Sequence, residues 1–372
     1  MIPQAAPQLR IARFRSAIDA RIAAVLSSSS YVLGPEVEQF ESEFAAYIGA
    51  SHCVGVASGT DALALCLRVL GIGPGDEVIT VAMTASPTVA AILQCGAQPV
   101  FVDVDGATRC IDVAQMAAAV SSRTSAIVPV HLHGHPVDMG TVMEVAARHG
   151  LAVIEDCAQA HGAEWQERRV GTFGHMAAYS FFPTKNLGGV GDGGAIVTSD
   201  AAHAARARSL RTYGWTDARR ISTEPGGNSR LDEIQAAILN VLLPELDESN
   251  AERRRLAQFY RREFSAALDV EKIAFAVEES GSVHHQFAIE VSNRDAVRKH
   301  LSEVSGIATG LHYSPGLHQH PAYEHFASSR LPVTERLARR MISLPIQPEA
   351  VNNREHEVVQ SVIGAVLACN QH

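Results

Sequence analysis

This sequence has no excess of basic residues. Its 31 Lys and Arg stand against 40 Asp and Glu, a formal net charge of −9. Such a chain has no global field with which to hold DNA or RNA, so any anionic ligand must be met by local Arg, Lys or backbone N–H groups. Cysteine is scarce as well, and the six residues Cys53, Cys66, Cys95, Cys110, Cys157 and Cys369 show no C-x-x-C spacing. A chain of 372 residues needs no disulfide staples, so the cysteines are expected as reduced, mostly buried thiols and the chain as cytoplasmic. Residues 1–22 lack the unbroken apolar stretch and small-residue cleavage site of a secretory signal. One run, Val78 to Val102, carries no charge and is long enough to cross a bilayer, but Gln94, Gln98, Pro87, Gly96 and Pro99 interrupt it. A buried strand–helix–strand explains it better, and no membrane partner is expected. Repeats and low-complexity tracts are absent. Hydrophobic residues make up 47% and charged residues 19%, which excludes a disordered chain and supplies a sizeable core.

What is present is an alternation of short apolar runs with helical patterns. Strands are expected at Val54–Ala57, Glu77–Ala82, Pro99–Val104, Ser125–Val130 and Leu151–Glu155. Between them lie helical patterns at Asp61–Leu70, Thr88–Cys95, Val113–Val120 and Met139–His149. This order predicts an α/β sandwich around a largely parallel sheet. Ala177–Phe182 and Gly194–Thr198 have no long helix between them, so the sheet is expected to end in closely connected, antiparallel strands. Helices follow at Ala201–Arg211, Leu231–Leu242 and Asn250–Leu268, the last an Arg-rich connection between domains. The domains predicted are a large one over 1–249 and a small α+β one over 250–372. The small one carries strands at His284–Val291 and Ile307–His312 and helices at Arg294–Val304, Thr334–Ile342 and Arg354–Leu367.

Two places carry chemistry. Asp156 closes the Val153-Ile154-Glu155-Asp156 strand at the end where ligands of open α/β sheets collect. Lys185 lies 29 residues later, between an apolar run (Tyr179 to Phe182) and a glycine-rich one (Gly188 to Gly194). Such flanks desolvate an amine, which disfavours the ammonium and frees a nucleophile. An Asp facing a Lys is the arrangement that holds pyridoxal phosphate; a structural ion pair is the plainer reading of those two residues taken alone. The second place is Ser58-Gly59-Thr60-Asp61, between a strand and a helix. Glycine allows close backbone approach and the helix start offers unpaired N–H groups, a phosphate seat, although an ordinary N-cap has the same letters.

Taken together and in order, SGTDAL, GPGDEVITV, PVFVDVD, PVHLHG, IEDCAQAHGA, SFFPTKNLG, GDGGAIVT and GNSRLDEIQAAIL resemble the DegT/StrS family of nucleotide-sugar aminotransferases. The likeness runs from about Val32 through HYSPGLHQHPAY and SLPIQP, nearly the whole chain. It implies an aspartate-aminotransferase-like fold and a homodimer with shared active sites. It also implies pyridoxal 5′-phosphate, or its pyridoxamine form, as cofactor. By motif, Lys185 would form the Schiff base, Asp156 would pair with the pyridine nitrogen, and Gln159 would bond the 3-hydroxyl. Gly59, Thr60 and Ser180 would bind the phosphate, with Asn228 reaching it from the partner subunit. The sequence departs from the family at Ala85, where an aromatic residue usually stacks on the ring; Met83 or a neighbour is expected to cover that face.

Among the remaining features, His131, His133 and His135 alternate as metal ligands can on a strand. The Gly134-His135-Pro136 turn and the missing further ligands argue against a metal, and none is expected. Six arginines (Arg206, Arg208, Arg211, Arg219, Arg220 and Arg230) fall within 25 residues. Solvated charge and a diphosphate clamp are equally open readings, with Arg219, Arg220 and Arg230 the stronger candidates for the clamp. His312, Tyr313 and His318 match a family stretch near the substrate pocket, and core or surface placement is equally open for them. The resemblance implies transfer from L-glutamate to a nucleotide-linked keto-sugar. The Tyr213-Gly214-Trp215 and Pro225 to Arg230 segments look most like enzymes of dTDP-3-keto-6-deoxyhexoses. The alternatives are a UDP-4-keto-hexose or an inosose as acceptor, a pyridoxamine-dependent dehydratase (which has His where Lys185 stands) and a non-catalytic regulatory homologue.

Overall fold

The computed structural model describes residues 1–278, 281–327 and 330–369. A seven-stranded sheet in the order β1-β9-β8-β5-β4-β2-β3 forms its centre. The strands are β1 (His52–Val56), β2 (Glu77–Val81), β3 (Gln98–Val102), β4 (Thr124–Ile127), β5 (Ala152–Asp156), β8 (Met176–Ser180) and β9 (Gly194–Thr198). β6 (Glu164–Trp165) and β7 (Arg168–Arg169) form a small antiparallel ribbon outside the sheet. The strands β3, β2, β4, β5 and β8 pair in parallel. β9 runs against both its neighbours, β8 and β1. The antiparallel pair expected near Gly194 is therefore present, but β1, not β9, forms that edge of the sheet. β1 also runs the same way as β8, so the carboxyl ends of β1, β2, β4, β5 and β8 share one rim.

Helices cover both faces. One face buries Phe40, Phe44 and Ile48 of Pro35–Ile48 together with Ile238 and Leu239 of Glu233–Leu242. Edge-on ring pairs tie this layer to the sheet: Phe44 meets Tyr179 at 5.0 Å and Phe181 at 5.5 Å, each contact adding about 0.5–1.5 kcal/mol beyond its area. The other face takes the Gly59–Val69 helix, whose residues Ala62 to Leu67 are all buried, with Ser86–Gln94 and Ala201–Leu210 beside it. The uncharged Val78–Val102 run is β2, helix and β3, as expected. Among the described residues, no helix is long and apolar enough to cross a membrane.

The long helix Leu246–Ala267 leads to a second sheet of β10 (Ile273–Phe275), β11 (Phe287–Val291) and β12 (Met341–Leu344), all antiparallel. Two expectations fail here. Ile307–His312 makes only isolated bridges, from Ile307 to Ile2 and from Gly310 to Ser343. The third strand is β12, because the helix stops at Arg340 and the next four residues are buried in extended form. Ile2 itself is fully buried in this core beside Ile307 and Ile342. Three helices before β1, at Pro7–Arg13, Arg15–Ser27 and Pro35–Ile48, were not anticipated. Of the six cysteines, Cys53, Cys66, Cys110 and Cys157 are buried, and Cys95 and Cys369 are half-buried.

Candidate active site

The shared strand rim opens into a cavity of about 410 Å³. Its walls come from residues at or just beyond the ends of β1 (Ser58, Gly59, Thr60), β2 (Thr84, Ala85, Thr88), β5 (Asp156, Ala158, Gln159) and β8 (Ser180, Phe182, Thr184, Lys185). His285, Gln286, His312 and Tyr313 of the C-terminal unit close it. This is where the carboxyl ends of parallel strands leave room for a ligand.

Asp156 is held in place from several sides. Its N–H donates to the Pro129 carbonyl at 2.9 Å, and its own carbonyl accepts from the His131 N–H at 3.1 Å. The Thr88 hydroxyl donates to Oδ2 at 2.8 Å, and the Ala158 N–H to Oδ1 at 3.2 Å. Burial pushes the Asp156 carboxyl up, while Thr88, Ala158 and the Lys185 charge pull it back. Across the cavity, burial lowers the Lys185 ammonium from 10.5 to about 8, opposed by the charge of Asp156. At neutral pH both forms of that amine are accessible.

The third element is an anion seat. Ser58 caps the Gly59–Val69 helix through the Asp61 N–H at 3.1 Å, and the Ser58 carbonyl accepts from Ala62 at 3.0 Å. Among the described residues the N–H groups of Gly59 and Thr60 have no such partner, and the positive end of the helix dipole adds to them. The seat is tightly built: a Cβ on Gly59 would lie 2.7 Å from the Ser180 Cβ, and one on Gly194 2.4 Å from the Ser58 carbonyl. An anion seat, a buried carboxyl group and a low-pKa amine in one cavity fit the phosphate, ring nitrogen and aldehyde of pyridoxal phosphate. Gln159 adds to this wall. Its Oε1 accepts from the His133 N–H at 2.7 Å, and its Nε2 donates to the Tyr313 hydroxyl at 2.8 Å. One Nε2 proton is left over.

The cavity thus gathers Gly59, Thr60, Asp156, Gln159, Ser180, Lys185, His312 and Tyr313. It does not gather Asn228, Arg219, Arg220, Arg230 or His318. Asn228 is exposed, its backbone bridged to Thr212. Arg219 is exposed on its own loop and paired with Asp217 at 2.6 Å. The Arg220 guanidinium lies 5.2 Å from the centre of the Trp215 ring, and Arg230 is half-buried. His318 is buried 3.7 Å from Glu335. The helix arginines are occupied structurally: Arg206 by Glu224 and the Val69 carbonyl, Arg208 by the Cys53 carbonyl, Arg211 by Glu41 and the Gly55 carbonyl. Met83 is fully buried in the core under β2 and does not cover the cavity; Ala85 faces it.

The three alternating histidines do not share a face, because the segment is a short 3₁₀ turn with His133 at φ 59°. His133 Nε2 meets the His312 carbonyl at 2.9 Å. His131 Nδ1 accepts from the Val137 N–H at 3.0 Å, so its Nε2 carries the proton toward Glu155 at 3.2 Å. Cys157 lies close to this pair, yet Glu155 also accepts from the N–H groups of Gly171, Phe173 and Gly174. The cluster is a hydrogen-bonded brace behind Asp156. Thr88 and His285 were missed as site residues; a Thr in an apolar stretch, or one His of an adjacent pair, carries no motif that singles it out.

The profile of the DegT/DnrJ/EryC1/StrS aminotransferase family matches residues 13–363. The chain is 43% identical over 358 residues to a dTDP-3-amino-3,4,6-trideoxy-alpha-D-glucose transaminase of Micromonospora megalomicea subsp. nigra, covering 95% of this chain and 96% of that one. It is 44% identical over 360 residues to a UDP-N-acetyl-3-dehydro-alpha-D-glucosamine 3-aminotransferase of Acidithiobacillus ferrooxidans, covering 96% and 95%. In structure it is similar to S. venezuelae DesV, crystallised with a ketimine intermediate, at a TM-score of 0.93 with 42% identity and 98% of each chain covered.

Proposed function

We propose, from the premise that this chain belongs to the DegT/DnrJ/EryC1/StrS aminotransferase family, that it moves an amino group from L-glutamate to C3 of a dTDP-linked 3-keto-6-deoxyhexose. It is a pyridoxal-phosphate-dependent transaminase acting on a nucleotide-linked keto-sugar. The observation that carries the reading is the Lys185 amine and the Asp156 carboxyl group facing one cavity above an anion seat. Relatives that aminate C3 of nucleotide-linked sugars, at 43–44% identity over nearly full length, support the choice of carbon.

When bound, the cofactor supplies an electron sink for breaking a C–H bond beside nitrogen. Gly59, Thr60 and Ser180 hold its phosphate, and Gln159 reaches its hydroxyl. Asp156 keeps a proton on the ring nitrogen. Burial and backbone bonds fix this carboxylate, so no reorganisation is needed at the moment of reaction. Lys185 holds the cofactor between turnovers. With the cofactor bound, its freed amine would take and return the proton at the substrate carbon that bears the nitrogen. A value near 8 makes it competent in both directions at neutral pH. His312 and Tyr313 face the acceptor. Asn228 completes the phosphate seat of a partner subunit in a homodimer, with Arg219, Arg220 and Arg230 at the nucleotide end. The enzyme works in the cytoplasm, where its glutamate and nucleotide-sugar substrates are found.

The test is an assay with L-glutamate and three acceptors, a dTDP-3-keto-6-deoxyhexose, a UDP-linked 3-keto-hexose and a UDP-4-keto-hexose, with the new amine located by NMR. Fastest turnover is expected with the first and the amine on C3. Amination of C4, or a UDP sugar as the preferred acceptor, would reject the assignment.

A further inference from the structure

The segment that carries Lys185 is a loop with little secondary structure of its own. Between β8 and β9 its internal backbone bonds run from Phe181 N–H to the Gly193 carbonyl, from Lys185 N–H to that of Phe182 and from Gly189 N–H to that of Phe181. An amine that must meet an aldehyde on one side and a substrate carbon on the other cannot sit on a wandering backbone. Four other carbonyls of the loop turn to a single point. Nη1 of Arg10 donates to the Lys185 carbonyl at 2.8 Å and to that of Asn186 at 2.9 Å. Nη2 donates to the Pro183 carbonyl at 3.0 Å and to that of Gly188 at 2.9 Å.

We propose that Arg10 is a positioning residue for Lys185, fixing the main chain from which the reactive amine projects. The inference rests on Lys185 being that amine, as proposed above. Three observations carry it. First, Arg10 is the one fully buried residue of the Pro7–Arg13 helix, beside half-buried Pro7 and Ile11, so the helix side chain taken furthest out of water is the one aimed at the loop. Second, among the described residues no carboxylate stands within ion-pair distance of it; Glu349 acts on its charge only from farther off, and carbonyl dipoles meet it directly. A buried guanidinium is costly unless its donors are met, and the loop meets four of them. Third, the loop is built around it: a Cβ on Gly188 would lie 2.9 Å from Nη2.

The helix that brings Arg10 is itself anchored. The Ala6 N–H donates to Gln347 Oε1 at 2.7 Å, and Gln347 Nε2 returns a bond to the Ala6 carbonyl at 3.1 Å. Ile2 bonds Gly306 and Ala308 through its backbone at 2.7 and 2.9 Å. The N-terminal segment thus ties the C-terminal unit to the lysine loop. A planar fork suits this work, because it loses little freedom per bond and spans several acceptors at once. The side chain of Asn186 adds a second anchor to the loop, donating to Asn250 Oδ1 at 2.9 Å and to the Val283 carbonyl at 3.0 Å.

The test compares wild type, Arg10→Met and Arg10→Lys as full-length apoprotein. Acetic anhydride is applied across a pH series, and acetylation of Lys185 is read by peptide mass spectrometry. Wild type should show half-reactivity near pH 8. In both variants the midpoint should rise toward the ordinary lysine range, because a loosened loop lets water reach the amine. In the loaded enzymes kcat should fall roughly 10- to 100-fold, with KM for the keto-sugar unchanged. Arg10→Lys keeps the charge but cannot span the four carbonyls, and it serves alone if Arg10→Met does not fold. A melting temperature that drops while the labelling midpoint stays at its wild-type value would show a stabilising role only and overturn the proposal, as would wild-type behaviour in Arg10→Lys. A wild type that aminates no keto-sugar would instead reject the function above and leave the labelling result standing.

Discussion

Lys185 and Asp156 show how one environment sets two opposite tendencies. The same exclusion of water lowers the ammonium and raises the carboxyl group, since both charged forms are disfavoured in it. Each then partly restores the other's charge. Lys185→Ala removes both the anchor and the proton carrier, so kcat should fall by more than about 10³-fold. The visible absorbance of the pyridoxal-loaded protein should be lost as well. Stopped assays and absorbance spectra of a variant whose circular dichroism is unchanged would check it, and retained turnover would falsify the role of Lys185. This pair is legible in the sequence because flanking residues announce it: an apolar strand ends in Asp156, and apolar and glycine-rich runs bracket Lys185. Thr88 and Gln159 differ in this respect. Gln159 is visible only through its motif. Thr88 has no local sign, although its hydroxyl is 2.8 Å from the Asp156 carboxyl group.

At the scale of elements, the anion seat is an agreement between the end of β1, the end of β8 and the start of β9. Gly59 and Gly194 let these backbones approach more closely than any side chain allows. Gly59→Ala places a methyl against Ser180, an overpacking that costs about 1–3 kcal/mol. Affinity for pyridoxal phosphate should then weaken by roughly tenfold to a hundredfold. Equilibrium titration of the apoprotein reads this directly, and an unchanged Kd would place the phosphate elsewhere. The parallel strands were readable as apolar runs because both faces of the sheet are covered. Pro35–Ile48 offered a signal that was not used, with Val37, Phe40, Phe44 and Ile48 at helical spacing. The Arg15–Ser27 helix offered little, since its buried positions are only Ile18 and Val25. β12 was hidden because its apolar letters continue the helical pattern before it.

For the whole molecule, buried neutral histidines set the acid limit. Burial holds His133, His161 and His284 near 3 and His312 near 4, against 6.5 for a free imidazole. Between those values and 6.5 the unfolded chain binds more protons than the folded one. The stability contributed by these groups is therefore complete above 6.5 and is lost as pH falls toward 3. Asp156, whose folded value is raised, works in the opposite direction, but it is one group against these four and the likewise lowered His135, His285 and His318. Urea midpoints measured from about pH 7 down to about pH 4 should decline steadily below the imidazole range. A flat profile would mean that these imidazoles are hydrated in the native state. Local letters settled much of this protein. Hydrophobic period determined the central strands and most helices, and the order of glycine, aspartate and lysine motifs determined the chemistry, because both are properties of neighbours along the chain. The tertiary structure alone decided which distant groups meet. Arg10 reaches the carbonyl of Lys185 across 175 positions, and Thr88 reaches Asp156 across 68. It also decided that Met83 faces the core. Convergence of carbonyls, exclusion of water and the space left by an absent Cβ depend on how remote segments pack, and no run of adjacent residues encodes them.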